Sequence, residues 1–363
     1  MLADRQLLRY DQKISEIWPE FAQEGKGEIT VAELMRHECG LPSFDAPVPL
    51  EQAGADAVRK AGLSELIARQ KPSWPKKTRR QYHGLTRGWI ANEIVVRCDP
   101  QRRTIGQFTA QEIMAPLGME RDFVIGLPDA EQHRVAPLSG GTFGAWALLQ
   151  SLLPARWQLM AVPTFLLFLW PVFVGLGMCI YRLLRCLGCC NEFRPFAPGS
   201  SAPMSPVVGD GPPATFNHPR TRAIEIPSAN GHASARAMAA VMDVLAGGGE
   251  RGGVRLLSAE GLAAALGDPV IEPTFGPITT EFTNAGWNIY RKTDGAKMPM
   301  NRKGFIGWMG LGGSAMQFHP GTAAHPDVGF GYAMTEMAAM IDPNMRSWRL
   351  QAAVLRCAKA GAK

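Results

Sequence analysis

Ser73, Lys76 and Tyr82 lie within the stretch KPSWPKKTRRQYHG, residues 71–84, and are residue types that together can transfer an acyl group. A serine oxygen becomes a usable nucleophile when a neighbouring lysine accepts its proton, and a tyrosine can relay that proton. Ser73-Trp74-Pro75-Lys76 has the S-x-x-K spacing. Positions i and i+3 face each other only on a helix. Here Pro72 precedes Ser73 and Pro75 stands between serine and lysine, and the residue before a proline avoids helical φ/ψ. Ser73 is therefore read as a loop residue and this S-x-x-K as a coincidence. No other serine in the chain stands three residues before a lysine. His37 and His83 invite a metal or general-base role, but neither has a second ligand at helical spacing, so both read as structural histidines.

The surrounding elements follow from apolar periodicity and punctuation. A helix is expected over 2–18, where Leu2, Leu7, Leu8, Ile14 and Ile17 give an imperfect apolar face and nothing caps the start. TVAELMR, 30–36, predicts a helix with Thr30 as N-cap and Glu33 completing a capping box, stopped by Gly40 and Pro42. Further helices are expected over 63–69, 85–97 and 107–118. After residue 216, ASARAMAAVMDVL (233–245) reads as an amphipathic helix ended by Gly247-Gly248-Gly249, followed by a helix over 258–266. Strand-like runs cover 281–290, 312–319 and 329–334, and a helix over 348–359 closes the chain. Strands in succession with short connections predict an antiparallel sheet.

Composition narrows the function classes. An apolar fraction of 46% and a charged fraction of 19% describe a globular protein. The net charge of +6 is mild, and its densest cluster, Lys76, Lys77, Arg79 and Arg80, lacks interleaved aromatics. That cluster reads as a solvated loop, and nucleic-acid binding is excluded. Seven cysteines without regular spacing make no disulfide framework. Cys186 and Cys189 form a C-x-x-C, but no second pair follows at zinc-finger spacing. With Cys179 and Cys190 they read as small residues after an apolar segment, or as juxtamembrane acylation sites. The N-terminus is no signal peptide, since Asp4 and Arg5 interrupt it.

Several blocks, taken in order, carry a resemblance: ITVAELMRHECGLP, YHGLTRGWIANEIV, EIMAPLGMERDFVIGLP, FNHPRTRAIEIPSANGHASARAMA and GWMGLGGSAMQFHP. The chain resembles the β-lactamase-related serine hydrolases, among them class C-like esterases and D-aminopeptidases, through residues 1–137 and 214–357. The resemblance implies an α+β, β-lactamase/transpeptidase-like fold, with an antiparallel sheet flanked by helices and a mostly helical subdomain. Residues 1–138 would form the helical part, 139–213 an insertion, and 214–363 the remainder of the same domain. It implies a serine nucleophile and lysine on one helix, a tyrosine that shuttles the proton, and a third motif on an edge strand contributing to the oxyanion hole. Tyr82 of Tyr82-His83-Gly84 matches the tyrosine, with Gly84 departing from the usual alanine. Trp308-Met309-Gly310 matches the third motif in its esterase-like form. PSWPKKTRRQYH matches the loop that leads to the tyrosine, which again places Ser73 away from the catalytic helix.

In the family the nucleophile lies just upstream of a helix tail like LADRQLLRYDQ, and this chain begins at Met1 inside that tail. Two N-terminal strands, the nucleophile and the lysine are therefore expected to be missing, and the chain as it stands is expected to be catalytically inactive. The alternative is a non-catalytic scaffold or membrane-associated binding module on the same fold. The resemblance implies a small-molecule ester or amide substrate and neither a cofactor nor a metal. Within the insertion, residues 157–181 are uncharged and long enough to span a bilayer, and a Pro/Gly/Ser-rich linker follows. A span there would separate two segments that the fold packs together. A membrane-contacting hairpin and a soluble insertion both remain open, and so do cytoplasmic and membrane-associated locations.

Overall fold

A computed structural model describes residues 1–46, 48–75, 80–140, 214–275, 278–291, 303–310, 313–323, 325–337 and 346–361. The apolar run 157–181, the cysteines at 179, 186, 189 and 190, and Lys76 lie outside the described residues. Among the described residues no helix is long and apolar enough to cross a membrane.

The first part is helical, built on short segments locked by capping. Thr30 and Glu33 form the expected capping box at the head of Val31–Met35, a cap contributing about 1 kcal/mol. The helix expected over 2–18 does not form as one. Leu7 N–H bonds Leu2 O and Gln6 N–H bonds Ala3 O, with Gln6 left-handed at φ 58°, which ends the first turn as a Schellman cap. The backbone that follows pairs across the chain instead: Ile14 N–H with Ile29 O, Val31 N–H with Gln12 O and Ala32 N–H with Tyr10 O. Only Ile14–Ile17 is helical there. The helices Ser64–Arg69 and Thr86–Cys98 fall where expected. The segment expected over 107–118 begins earlier, at Ile105, behind a second capping box of Thr104 and Gln107. It widens into π-helical turns over Thr109–Met114. Trp18, Phe21, Leu34, Leu41, Phe44, Trp89 and Ile90 form the core of this part.

The second part is a six-stranded antiparallel meander in which strands consecutive in sequence are neighbours in the sheet. The short strands β1 (Phe123–Val124) and β3 (His232–Ala233), β2 (Ser139–Gly140) and β12 (Glu336–Met337), and β4 (Glu250–Arg251) and β5 (Val254–Arg255) pair off separately. The sheet strands are β6 (Val270–Phe275), β7 (Ile278–Phe282), β8 (Asn288–Arg291), β9 (Lys303–Met309), β10 (Ala315–Thr322) and β11 (His325–Tyr332). The run 281–290 is two strands, not one: Thr283 N–H bonds Trp287 O and Gly286 takes φ 74°, turning the chain between β7 and β8. The motif strand β9 is interior, not an edge, with β8 on one side and β10 on the other. At the motif itself β9 has run past β8, and Trp308 pairs with Met316 alone. The helix Ala235–Ala246 lies on β10 and β11. Gly329 and Gly331, two apart on one face of β11, admit it, because a Cβ at either would strike the helix backbone at Asp243 or Ala235.

Arg80 fastens the loop before Tyr82 to this sheet. It belongs to the basic cluster read as solvated, yet its side chain is 0% exposed and pairs with Glu38 at 2.5 Å. Its Nη1 donates to Val270 O and Thr280 O at 3.2 and 3.3 Å. Carbonyls of β6 and β7 select a guanidinium, which no feature of a KKTRR run reveals. Replacing Arg80 by Met strands Glu38 with Arg36 alone and should cost about 3 kcal/mol. A fall in the urea midpoint corresponding to less than about 1 kcal/mol would show that the pair does not hold the loop.

Candidate active site

The structure brings Tyr82 and Trp308 together, their rings 5.9 Å apart. His37 fills the space behind them, 4.9 Å from Tyr82 and 5.7 Å from Trp308. Phe282 stacks on the indole at 5.1 Å, and the Arg87 guanidinium lies over the indole ring at 4.9 Å. Trp308 Nε1 donates to Gly286 O at 2.8 Å, so the β7–β8 turn fixes the ring. Arg87 Nη1 donates to Met35 O at 3.1 Å. Among the described residues no acid pairs with this arginine, and burial lowers its pKa.

Two buried histidines support the loop carrying Tyr82. His83 Nδ1–H donates to Gln81 O at 2.5 Å, and its Nε2 accepts Leu41 N–H at 2.8 Å. Those partners fix one neutral tautomer. His37 Nδ1 accepts His83 N–H at 3.0 Å. Burial pushes His83 down to about 3 and His37 well below its ordinary value, with Arg87 adding to both. Burial raises the Tyr82 pKa, against a smaller downward pull from Arg87. At neutral pH the phenol carries its proton.

Tyr82 and Gly310 line one cavity of about 280 Å³, with Ser228, His232 and Ser314. Trp308 stands behind this wall rather than on it. The cavity adjoins another of about 420 Å³ bordered by Arg121, Asp122 and Arg134; His232, Ser314 and Met334 belong to both. The Gly310 N–H is taken by Ser314 O at 2.7 Å, so it is not free for an oxyanion, and the next residue, Leu311, lies outside the described residues. A Cβ on Gly310 would meet nothing nearer than Ser314 O at 3.7 Å. The glycine thus leaves room in the cavity rather than relieving strain in the fold.

Ser73 stands apart from this arrangement. It is exposed in a bend, and its N–H donates to Gly40 O at 2.8 Å. Ser228 and Ser314 do reach the cavity, but Ser228 Oγ donates to Gly84 O at 2.7 Å and Ser314 Oγ accepts Met334 N–H at 3.1 Å. Sequence reasoning singled out neither serine, nor Arg222 and His232 on the same wall. Their signal is the block FNHPRTRAIEIPSANGH for Arg222, Ser228 and His232, and GWMGLGGSAMQFHP for Ser314.

An antiparallel sheet with a helix on its face and a helical part beside it are the architecture of the β-lactamase/transpeptidase fold. The β-lactamase family model matches residues 1–353, and the chain belongs to that family. It is 27% identical over 264 residues to the esterase/beta-lactamase LipL of Mycobacterium tuberculosis, a match covering 71% of this chain. The chain spans about half the length, 50%, of that relative. A penicillin-binding protein homologue from Caulobacter crescentus superposes with a TM-score of 0.64 at 28% identity, covering 96% of this chain and 76% of its own. A family VIII carboxylesterase gives 0.66 at 26%, covering 98% and 78%. EstA from Arthrobacter nitroguajacolicus Rue61a gives 0.68 at 23%, covering 100% and 81%, a likeness of fold.

Two predictions follow from the site's geometry. Unfolded histidine titrates near 6.5, whereas folded His37 and His83 stay neutral far below it. As pH falls below about 6.5 the unfolded chain takes up protons that the folded chain refuses, so stability present at neutral pH is lost toward pH 3 at about 1.4 kcal/mol per unit per histidine. Glu225, whose pKa burial raises, acts in the opposite direction. The difference between wild type and His83→Gln isolates the histidine: urea midpoints should fall less steeply between pH 7.5 and 5.5 in the variant. Parallel pH profiles would show that His83 titrates normally. For Gly310→Ala, the open space predicts a stability change within about 0.5 kcal/mol, and a larger loss on thermal unfolding would mean that the glycine serves the fold.

Proposed function

We propose that the cavity between Tyr82 and the Trp308-Met309-Gly310 strand is an acyl-transfer site for a small ester or amide, of the esterase-like kind. The observation that carries this reading is the convergence of Tyr82 and Gly310 on one cavity, with Trp308 5.9 Å from the tyrosine ring. The names of the relatives support it, one an esterase/beta-lactamase and another a carboxylesterase. Tyr82 is the proton-shuttling position, and the β9 end is the facing wall.

The 363-residue chain itself is proposed not to form an acyl-enzyme. Its one S-x-x-K is Ser73–Lys76, whose serine is exposed in a bend. The cavity serines bond to backbone, and no lysine lines the cavity among the described residues. A protonated Tyr82 fits the same reading, since a neutral phenol can donate a proton but does not serve as the base that takes one from a nucleophile. A binding module on this fold is the alternative form of the protein. Contact of residues 157–181 with a membrane belongs to the proposal as a peripheral contact. Asn217 Oδ1 accepts Leu138 N–H and its Nδ2 donates to Leu138 O, both at 2.7 Å, so the described residues before and after this segment meet.

The purified chain, mixed with p-nitrophenyl acetate or a chromogenic cephalosporin, should give no stoichiometric burst of product. Ser73→Ala should change nothing. A burst that survives this substitution defeats the proposal of an inactive chain, and a burst abolished by it makes Ser73 the nucleophile and defeats its assignment to the loop.

A further inference from the structure

The helix Arg346–Gly361 packs on β11, where Leu355 and the partly buried Val354 join Phe330, Phe305 and Tyr290. Phe330 alternates along the strand with Gly329 and Gly331, which admit the helix Ala235–Ala246, so the two helices enclose the sheet from opposite faces. Ser347 and Gln351 are fully buried beneath the first of them. At 3.6 residues per turn, positions 347, 351, 354, 355 and 358 share the buried face. Arg349, Leu350, Ala353, Arg356 and Cys357 fall on the opposite one, with Lys359 at its margin, and of these only Ala353 is not fully exposed.

Over its length this helix carries four cations, Arg346, Arg349, Arg356 and Lys359, and no aspartate or glutamate. Exposed cations elsewhere are answered by an acid: Lys13 by Glu28, Arg69 by Glu65 and Arg255 by Glu250. Among the described residues no carboxylate pairs with Arg349, Arg356 or Lys359. Like charges on one helix face repel, and a merely solvated helix intersperses both signs. Within this positive face Leu350 stands 46% exposed. Among the described residues the other large apolar side chain so exposed is Ile271, on β6 at the far edge of the sheet.

We propose that the outward face of the helix Arg346–Gly361 docks on a bilayer surface bearing anionic lipids, with Leu350 entering the headgroup layer. Arg349 and Arg356 lie two turns apart, about 10 Å along the axis, which suits an extended layer of negative headgroups rather than one small anion. Each basic residue near such a surface adds attraction, and firm peripheral attachment takes an apolar element besides. The sequence holds one in the uncharged run 157–181. No residue of this helix lines either cavity, so docking uses none of the cavity wall. The inference is independent of the acyl-transfer reading.

The 363-residue chain is floated with vesicles of phosphatidylcholine alone and of phosphatidylcholine with about 30% phosphatidylserine. The charged vesicles should hold the wild type about a hundredfold more strongly at low salt, and high salt should remove most of the difference. Each cation removed should weaken attachment about fivefold, so Arg349→Gln/Arg356→Gln/Lys359→Gln should bind both vesicles alike. Leu350→Ser should weaken attachment to the charged vesicles and leave its salt dependence in place. All four side chains are exposed, so thermal unfolding should not move in either variant. Equal attachment of the wild type to the two vesicles, or attachment to neither, overturns the proposal. A preference that persists in the triple variant overturns it as well, since the contact then lies elsewhere in the chain. Displacement from the vesicles by soluble polyglutamate, with Leu350→Ser binding like the wild type, assigns the face to an acidic protein and overturns the docking on lipid.

Discussion

The helical part and the cavity wall meet on one buried carboxylate. Glu225, 2% exposed, has every polar atom engaged. Its N–H donates to Ala53 O and its C=O accepts Trp89 Nε1–H. Oε1 accepts Thr104 Oγ1–H at 2.6 Å, and Oε2 accepts Asn92 Nδ2–H at 2.8 Å and Gly106 N–H at 3.4 Å. Three separate segments, at Ala53, at Trp89 and Asn92, and at Thr104 and Gly106, are thereby referred to one residue. No cation is among its partners, and burial raises its pKa. Neutral donors can carry a buried carboxyl, but only if all of them are in place. That requirement ties the position of 221–234, and with it Arg222, Ser228 and His232, to the helices that carry Tyr82.

The same logic repeats on a smaller scale. Asn230 Oδ1 accepts Ile226 N–H while its Nδ2 donates to Thr221 O and Ile224 O, closing the loop that presents Arg222 and Ser228. Ser228 Oγ then bonds Gly84 O, two residues beyond Tyr82. From the opposite direction Arg80 holds the approach to Tyr82 on β6 and β7. The tyrosine is thus positioned by polar groups on both flanks, and the aromatic contacts with His37 and Trp308 fill what lies between. Hydrophobic burial assembles the two parts, but directional bonds decide where the phenol points.

Local signals in the sequence survive folding where the interaction is itself local. Thr30 with Glu33, Ser234 and Ser258 all cap helices as their neighbours in sequence require. The failures are interactions between distant residues. Leu2, Leu7 and Leu8 suggest a helical face, but cross-pairing of residues 10–14 with 29–32 takes the backbone first. Strand β6 carries Pro273 and ends in a register shift, which hides it from an alternation pattern. Arg80 looks like one more solvated charge until strands 190 or more residues away offer it carbonyls. The site divides similarly. The family resemblance leads to the expectation that Tyr82 and Trp308-Met309-Gly310 approach each other, whereas Arg222, Ser228 and His232 reach the same cavity through the contacts of Glu225 and Asn230 with distant residues.

The charges around the cavity also bear on what Tyr82 can do there. Burial favours its neutral form, and the nearest helping cation, Arg87, sits on the Trp308 side. To accept a proton from a nucleophile, the phenol needs its pKa lowered by positive charge close to the oxygen. Arg87 supplies only a smaller downward pull against burial, so the phenol stays neutral and meets whatever the cavity admits as a hydrogen-bond donor.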